Sequence, residues 1–165
     1  MIAHLIDGND LSRKIRAEVA HRIAALKARG VEPKLHIILV GEDPASQVYT
    51  KHKVKDSTET GLQATLETCP ADLSEGALLD RIRALNADPS IHGILVQLPL
   101  PPQVSEKQVL DTVAVEKDVD GFHPSNVGAL WLGREGLVPC TPWGCMRLLD
   151  TAGVKLEGAR AVVVG

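Results

Sequence analysis

Two short apolar runs, LHIILV at 35–40 and IHGILVQL at 91–98, constrain this chain more than any other feature of its sequence. Both are rich in branched side chains and bounded by breakers, Pro33 and Gly41 around the first, Pro89 and Pro99 around the second, and they read as buried strands. A third segment, LQATLET at 62–68, alternates in polarity and reads as another strand. Helical patterns separate them. Residues 10–29 carry Leu11, Ile15, Val19, Ile23 and Leu26 at spacings of four and three, with Gly30 placed to end the helix. Asp43 and Pro44 are a cap and a first-turn proline for a helix running to about Gly61. Residues 74–87 put Leu78, Leu79, Ile82 and Leu85 on one side. The order β-α-β-α-β predicts an α/β fold, a parallel-sheet α-β-α domain with right-handed crossovers. Ligands bind such sheets beyond the carboxyl ends of the strands. Gly41–Pro44 and the segment Gln97-Leu98-Pro99-Leu100-Pro101-Pro102 occupy two such ends.

The pattern changes from Val115 to Pro142, which is rich in Gly and Pro and has no long periodic run. Long irregular segments inside compact domains are often functional. Before it, Ser105 and Gln108 form a capping box for a short helix. After it, Thr141-Pro142 predicts a further helix start, with Gly153 beyond its end. RAVVVG at 160–165 reads as a strand reaching a glycine, which is either the opening of a dinucleotide-binding unit or the edge strand of a single domain.

Bulk properties exclude several classes. A net charge of -3 argues against a nucleic-acid binder. No apolar run reaches the roughly 20 residues that span a bilayer. The opening MIAHLIDGND turns polar within a few residues and predicts no signal peptide. Cys69, Cys140 and Cys145 form no CxxC and read as reduced thiols of a cytoplasmic protein, with no metal site. At 44% hydrophobic but 2% aromatic, the core must be aliphatic, so the few rings stand out.

The single tyrosine, Tyr49, lies four residues before Lys53 and shares a helix face with it. A ring can stack on a planar ligand, and a lysine at a pocket's edge can exchange protons. The alternative is a solvated basic helix face. Gln97 interrupts an otherwise apolar strand, so its amide either serves nearby backbone or faces the ligand crevice. In Lys117-Asp118-Val119-Asp120-Gly121-Phe122-His123-Pro124, Asp120 is either a turn former or an acceptor for a forked donor. The segment lacks the further ligands of a calcium loop.

Taken together and in order, VGEDPASQVYTKHKVK, GILVQLPLP, KDVDGFHPSNVG and PCTPWG resemble the bifunctional methylenetetrahydrofolate dehydrogenase/methenyltetrahydrofolate cyclohydrolase family, the FolD type. The resemblance runs along the whole chain. It implies oxidation of 5,10-methylenetetrahydrofolate with NADP, then hydrolysis of the methenyl cation to 10-formyltetrahydrofolate, in the one-carbon metabolism that serves purine biosynthesis. It implies Lys53 as the proton-transfer group, Gln97 as its partner, Tyr49 stacked on the folate and Asp120 on the amino-pyrimidine edge. Ser46, Pro99 and Leu100 would line the folate cleft, with Cys140 and Thr141 toward the cofactor and Gly165 as the first glycine of its fingerprint. Residues 1–140 would then be a catalytic folate-binding domain, and 141–165 an interdomain helix and the first strand of a truncated NADP-binding Rossmann domain. The longer parent is expected to be a cytoplasmic homodimer. Two alternatives stand beside this reading: a folate-binding fragment without turnover, and an NADP-linked dehydrogenase of the amino-acid or shikimate type. VQLPLP beside KDVDGFHP speaks against the last.

Overall fold

The computed structural model describes residues 4–164. Three parallel strands, β1 (Lys34–Val40), β2 (Gln63–Cys69) and β3 (Gly93–Val96), form a sheet in the order β2-β1-β3. Six helices accompany them among the described residues: α1 (Gly8–Ala28), α2 (Pro44–Glu59), α3 (Glu75–Ala87), α4 (Glu106–Thr112), α5 (Pro124–Trp131) and α6 (Cys140–Thr151). The α/β class and the strand–helix alternation are those the sequence predicts.

Strand alternation divides the core. Ile38 and Val40 of β1 and Ile94 and Val96 of β3 pack with Leu78, Leu79, Ile82 and Leu85 of α3 and Val109 of α4. This layer is aliphatic, as the scarcity of aromatics requires. The opposite face meets α2 quite differently, since the fully buried residues of that helix are Ser46 and Thr50. Thr50 Oγ1 donates to Ser46 O at 2.8 Å, so its hydroxyl is satisfied within the helix.

Local signals explain the boundaries. Asp43 accepts a hydrogen bond from Ser46 N at 2.7 Å and caps α2, with Pro44 at its first position. Ser74 and Ser105 cap α3 and α4 through Ala77 N and Gln108 N. Asp7 caps α1 two residues earlier than the apolar spacing shows. Gly30 closes that helix at φ 79°, a conformation that suits glycine.

Three elements depart from expectation. The 115–142 segment is not wholly irregular, because Val115–Lys117 forms a 3-10 turn and α5 follows, capped by His123 with Pro124 at its first turn. α6 begins at Cys140 with Pro139 in the cap position, so Thr141 is its second residue and caps nothing. Residues 160–164 form no strand, and Val162, Val163 and Val164 are 88%, 94% and 93% exposed. A strand needs a partner for its backbone groups, and none of the described residues pairs with this one. The fingerprint glycine expected at Gly165 lies outside the described residues.

Candidate functional site

A cavity of about 570 Å3 opens beside the carboxyl end of β3 on the α2 side of the sheet, and Gly41–Pro44 at the end of β1 is not part of its wall. Its floor is Leu35 and Leu95, and its polar groups are Lys53, Asp56 and Ser57 of α2, Gln97 and Asp120. Pro139, Cys140, Thr141 and Pro142 close it from the α6 side.

Each polar group arrives through its own element. α2 places Lys53 one turn beyond buried Thr50, and Lys53 Nζ donates to Gln97 Oε1 at 3.0 Å. Gln97 follows the last residue of β3 and has the parity of Leu95, so it faces α2 rather than the aliphatic layer. Its amide nitrogen donates to Leu98 O at 2.6 Å, which fixes the oxygen toward the lysine. The Leu98–Pro99 peptide is cis, and the chain turns away there.

Asp120 is delivered by a close approach. Asp118 makes a parallel bridge with Ile94, laying the Asp118–Gly121 turn beside β3. A Cβ on Gly93 would stand 2.5 Å from Val119 Cγ1, so glycine is what admits this turn. Lys117 anchors the segment by donating to the carbonyls of Leu85, Asn86 and Asp88 at 3.1, 2.8 and 2.8 Å, at the carboxyl end of α3. Burial pushes the Asp120 carboxyl above its ordinary range; the Lys53 charge opposes this and Asp118 adds to it. Burial likewise raises the Cys140 thiol, helped by Asp120 and Asp118 and opposed by Lys53. Asp120 and Cys140 therefore both feel the charges of Lys53 and Asp118 across one space.

The structure brings together Lys53, Gln97, Asp120, Cys140 and Thr141 of the residues singled out from sequence. It does not bring Tyr49, Ser46, Pro99 or Leu100 into the cavity wall. Tyr49 is 63% exposed on α2. Ser46 is buried in the first turn of that helix, and Leu100 packs against the α3 side of the core. Asp56, which lies on or beside the Tyr49–Lys53 helix face, lines the cavity too, and Ser57 and Phe122 line it without having been singled out. Ser57 lies four residues after Lys53, the helical spacing that could have found it. The described residues contain no cluster of three or more metal-ligating side chains, and no described helix is long and apolar enough to cross a membrane.

Comparison with known proteins gives a consistent set of likenesses. The profile of the family "Tetrahydrofolate dehydrogenase/cyclohydrolase, catalytic domain" matches residues 6–120. The bifunctional protein FolD of Variovorax paradoxus is 67% identical over all 165 residues, which cover 58% of that protein. The FolD protein of a Polaromonas species is 57% identical over the same span, 59% of its length. Among solved structures, the FolD methylenetetrahydrofolate dehydrogenase/cyclohydrolase of Campylobacter jejuni superimposes with a TM-score of 0.89 at 46% identity, over 91% of this chain and 54% of that one. The Trypanosoma brucei enzyme, solved with NADP cofactor and inhibitor, gives 0.88 at 35% identity, over 92% and 52%. The chain thus spans a little over half the length of the relatives it matches.

Proposed function

This chain belongs to the tetrahydrofolate dehydrogenase/cyclohydrolase family, and from that premise we propose that its cavity binds a reduced folate and hydrolyses the 5,10-methenyl form. The observation that carries this reading is the Lys53 Nζ–Gln97 Oε1 bond of 3.0 Å, facing Asp120 across a single cavity. A pterin presents a flat heterocycle with an amidine-like edge. Asp120 accepts from that edge through two oxygens, as carboxylates do with forked donors. Gln97 holds Lys53 beside the one-carbon bridge. Water adds to the methenyl carbon and Lys53 takes one of its protons; the remaining hydroxyl proton passes to N5 as the carbon–N5 bond breaks, leaving the formyl group on N10. Tyr49, exposed one turn before Lys53, is free to stack on the part of the folate that leaves the cavity. Ser46, Pro99 and Leu100 then act from beside the cleft rather than as its wall.

In the longer proteins of this family the activity is bifunctional, and NADP supplies the hydride acceptor when bound. Cys140 and Thr141 stand on the cavity wall and are the residues that would face the cofactor. A dinucleotide also needs backbone N–H groups at a helix N-terminus after a strand. Residues 154–164 form neither helix nor strand, so the described residues do not fit the whole cofactor, and the hydride step is assigned to no residue here. A cytoplasmic homodimer of the longer protein belongs to the same proposal.

The test is hydrolysis of 5,10-methenyltetrahydrofolate by the 165-residue chain without NADP, corrected for the spontaneous rate and set against Lys53→Ala. Turnover that disappears in the variant supports the reading. A wild-type rate equal to background overturns it and leaves folate binding without turnover.

A further inference from the structure

Asn126 stands outside the cavity wall and yet touches what carries both sides of it. Its side chain is buried, at 3% exposure, and every polar atom of its amide is engaged. Nδ2 donates to Asp118 Oδ2 at 2.9 Å and to Val115 O at 3.0 Å, while Oδ1 accepts from Leu137 N at 3.3 Å. The first contact holds the turn that bears Asp120. Asp118 Oδ2 also accepts from His123 N at 2.8 Å, and Asp118 O accepts from Gly121 N at 3.1 Å, so the turn hangs from that one residue. The contact to Leu137 holds the irregular lead into Pro139 and Cys140, the opposite wall.

The two walls meet at Gly121. A Cβ there would lie 2.7 Å from Pro139 N and Val138 C. Between turn and lead-in, the only other polar link among the described residues is Cys140 Sγ to Val119 O at 3.6 Å, a weak bond. The Asn126 amide is therefore the junction that fixes Asp120 relative to the Pro139–Cys140 wall. We infer that Asn126 is a positioning residue, which aims Asp120 at the amino-pyrimidine edge without touching the ligand. This rests on the folate reading of the cavity.

A residue that merely stabilised the fold would affect all ligands alike. A residue that aims Asp120 matters only for a ligand with an exocyclic amino group to receive. The experiment measures equilibrium binding of tetrahydrofolate and of its 2-desamino analogue to the wild-type chain, Asp120→Ala and Asn126→Ala, with melting curves for each. The expected result is a wild-type preference for the amino-bearing ligand that is lost in Asp120→Ala. In Asn126→Ala, tetrahydrofolate binding should fall roughly tenfold or more, the scale on which small misplacements act. Binding of the 2-desamino analogue should change far less.

Asn126→Ala binding both ligands as wild type does, or losing both equally, overturns the inference while leaving the folate reading intact. A wild-type chain with no preference, unchanged in Asp120→Ala, overturns the folate reading and this inference with it. Should Asn126→Ala fail to fold, Gly136→Ala decides. Gly136 is exposed, and a Cβ on it would stand 3.3 Å from Asn126 Oδ1 and 3.1 Å from Ala129 Cβ, wedging the same junction from outside. It should shift the ligand preference in the same direction, and an unchanged preference in a folded Gly136→Ala protein refutes the junction's role.

Discussion

Lys53 and Asp120 are charged groups facing one cavity, and each makes a separate prediction. If Lys53 must release a proton, Lys53→Arg keeps the charge and loses the hydrolysis, because arginine does not deprotonate in proteins. Hydrolysis assays should show Lys53→Arg reduced about as far as Lys53→Ala, by the 10²–10⁴-fold typical of general acid–base groups. Asp120 predicts a conflict between binding and stability. Its carboxyl is raised above the ordinary 3.8, chiefly by burial, so the folded state holds that proton more tightly than the unfolded chain does. Its contribution is full below the ordinary value and lost as pH rises through the folded one. Asp120→Asn should therefore melt higher than wild type at pH 7, with the gain vanishing below pH 3.8, while folate binding is lost. Lys53 and Gln97 were each legible as candidates because a helix face and an interrupted apolar strand leave a mark in sequence, but their pairing came from the family resemblance and not from either mark. Asn126 was not legible, since an asparagine in a Gly- and Pro-rich stretch looks like any turn former.

Among the elements, α3 is held to β2 by more than its leucines. Glu67 accepts from Arg81 Nε at 2.8 and 3.0 Å and lies 2.6 Å from His36 Nε2, tying helix, edge strand and central strand. Arg81, against the cost of burial and with help from His36, keeps the Glu67 carboxyl below its ordinary 4.5. That stabilisation is present above the ordinary value and lost as pH falls through the folded one. Glu67→Gln should cost about 1–3 kcal/mol at pH 7 by the worth of charge-assisted hydrogen bonds, and less in acid, as denaturant unfolding at several pH values would show. Gly121 tests the close approach of the cleft walls. Its φ is 69° and its missing Cβ leaves room for the 137–139 backbone, so Gly121→Ala should cost roughly 2–5 kcal/mol in the same assay. Most elements were readable because the apolar pattern is clear over α1, α3, β1 and β3. α5 escaped because eight residues carry too little periodicity. The expected strand at 160–165 failed because its valines signal a sheet that the described residues do not supply.

The larger share of the buried aliphatic residues lies on one side of the sheet. A ligand that binds only the folded state should still stabilise the whole molecule. At a hundred times its Kd, a reduced folate should add about 2.7 kcal/mol and raise Tm by roughly 5–10 °C in a thermal-shift assay. Residues 154–164 lack regular structure and should be the first site of limited proteolysis, leaving the sheet and its helices intact by mass spectrometry. The unequal faces bear on how a protein like this can drift over generations. The buried residues that α2 itself contributes are two hydroxyls, Ser46 and Thr50, whereas α3 sinks four large aliphatic side chains into the other face. Heritable change on the α2 side therefore disturbs fewer large aliphatic contacts, so the side that accepts the ligand is the side more open to revision in descendants, while the α3 foundation resists it.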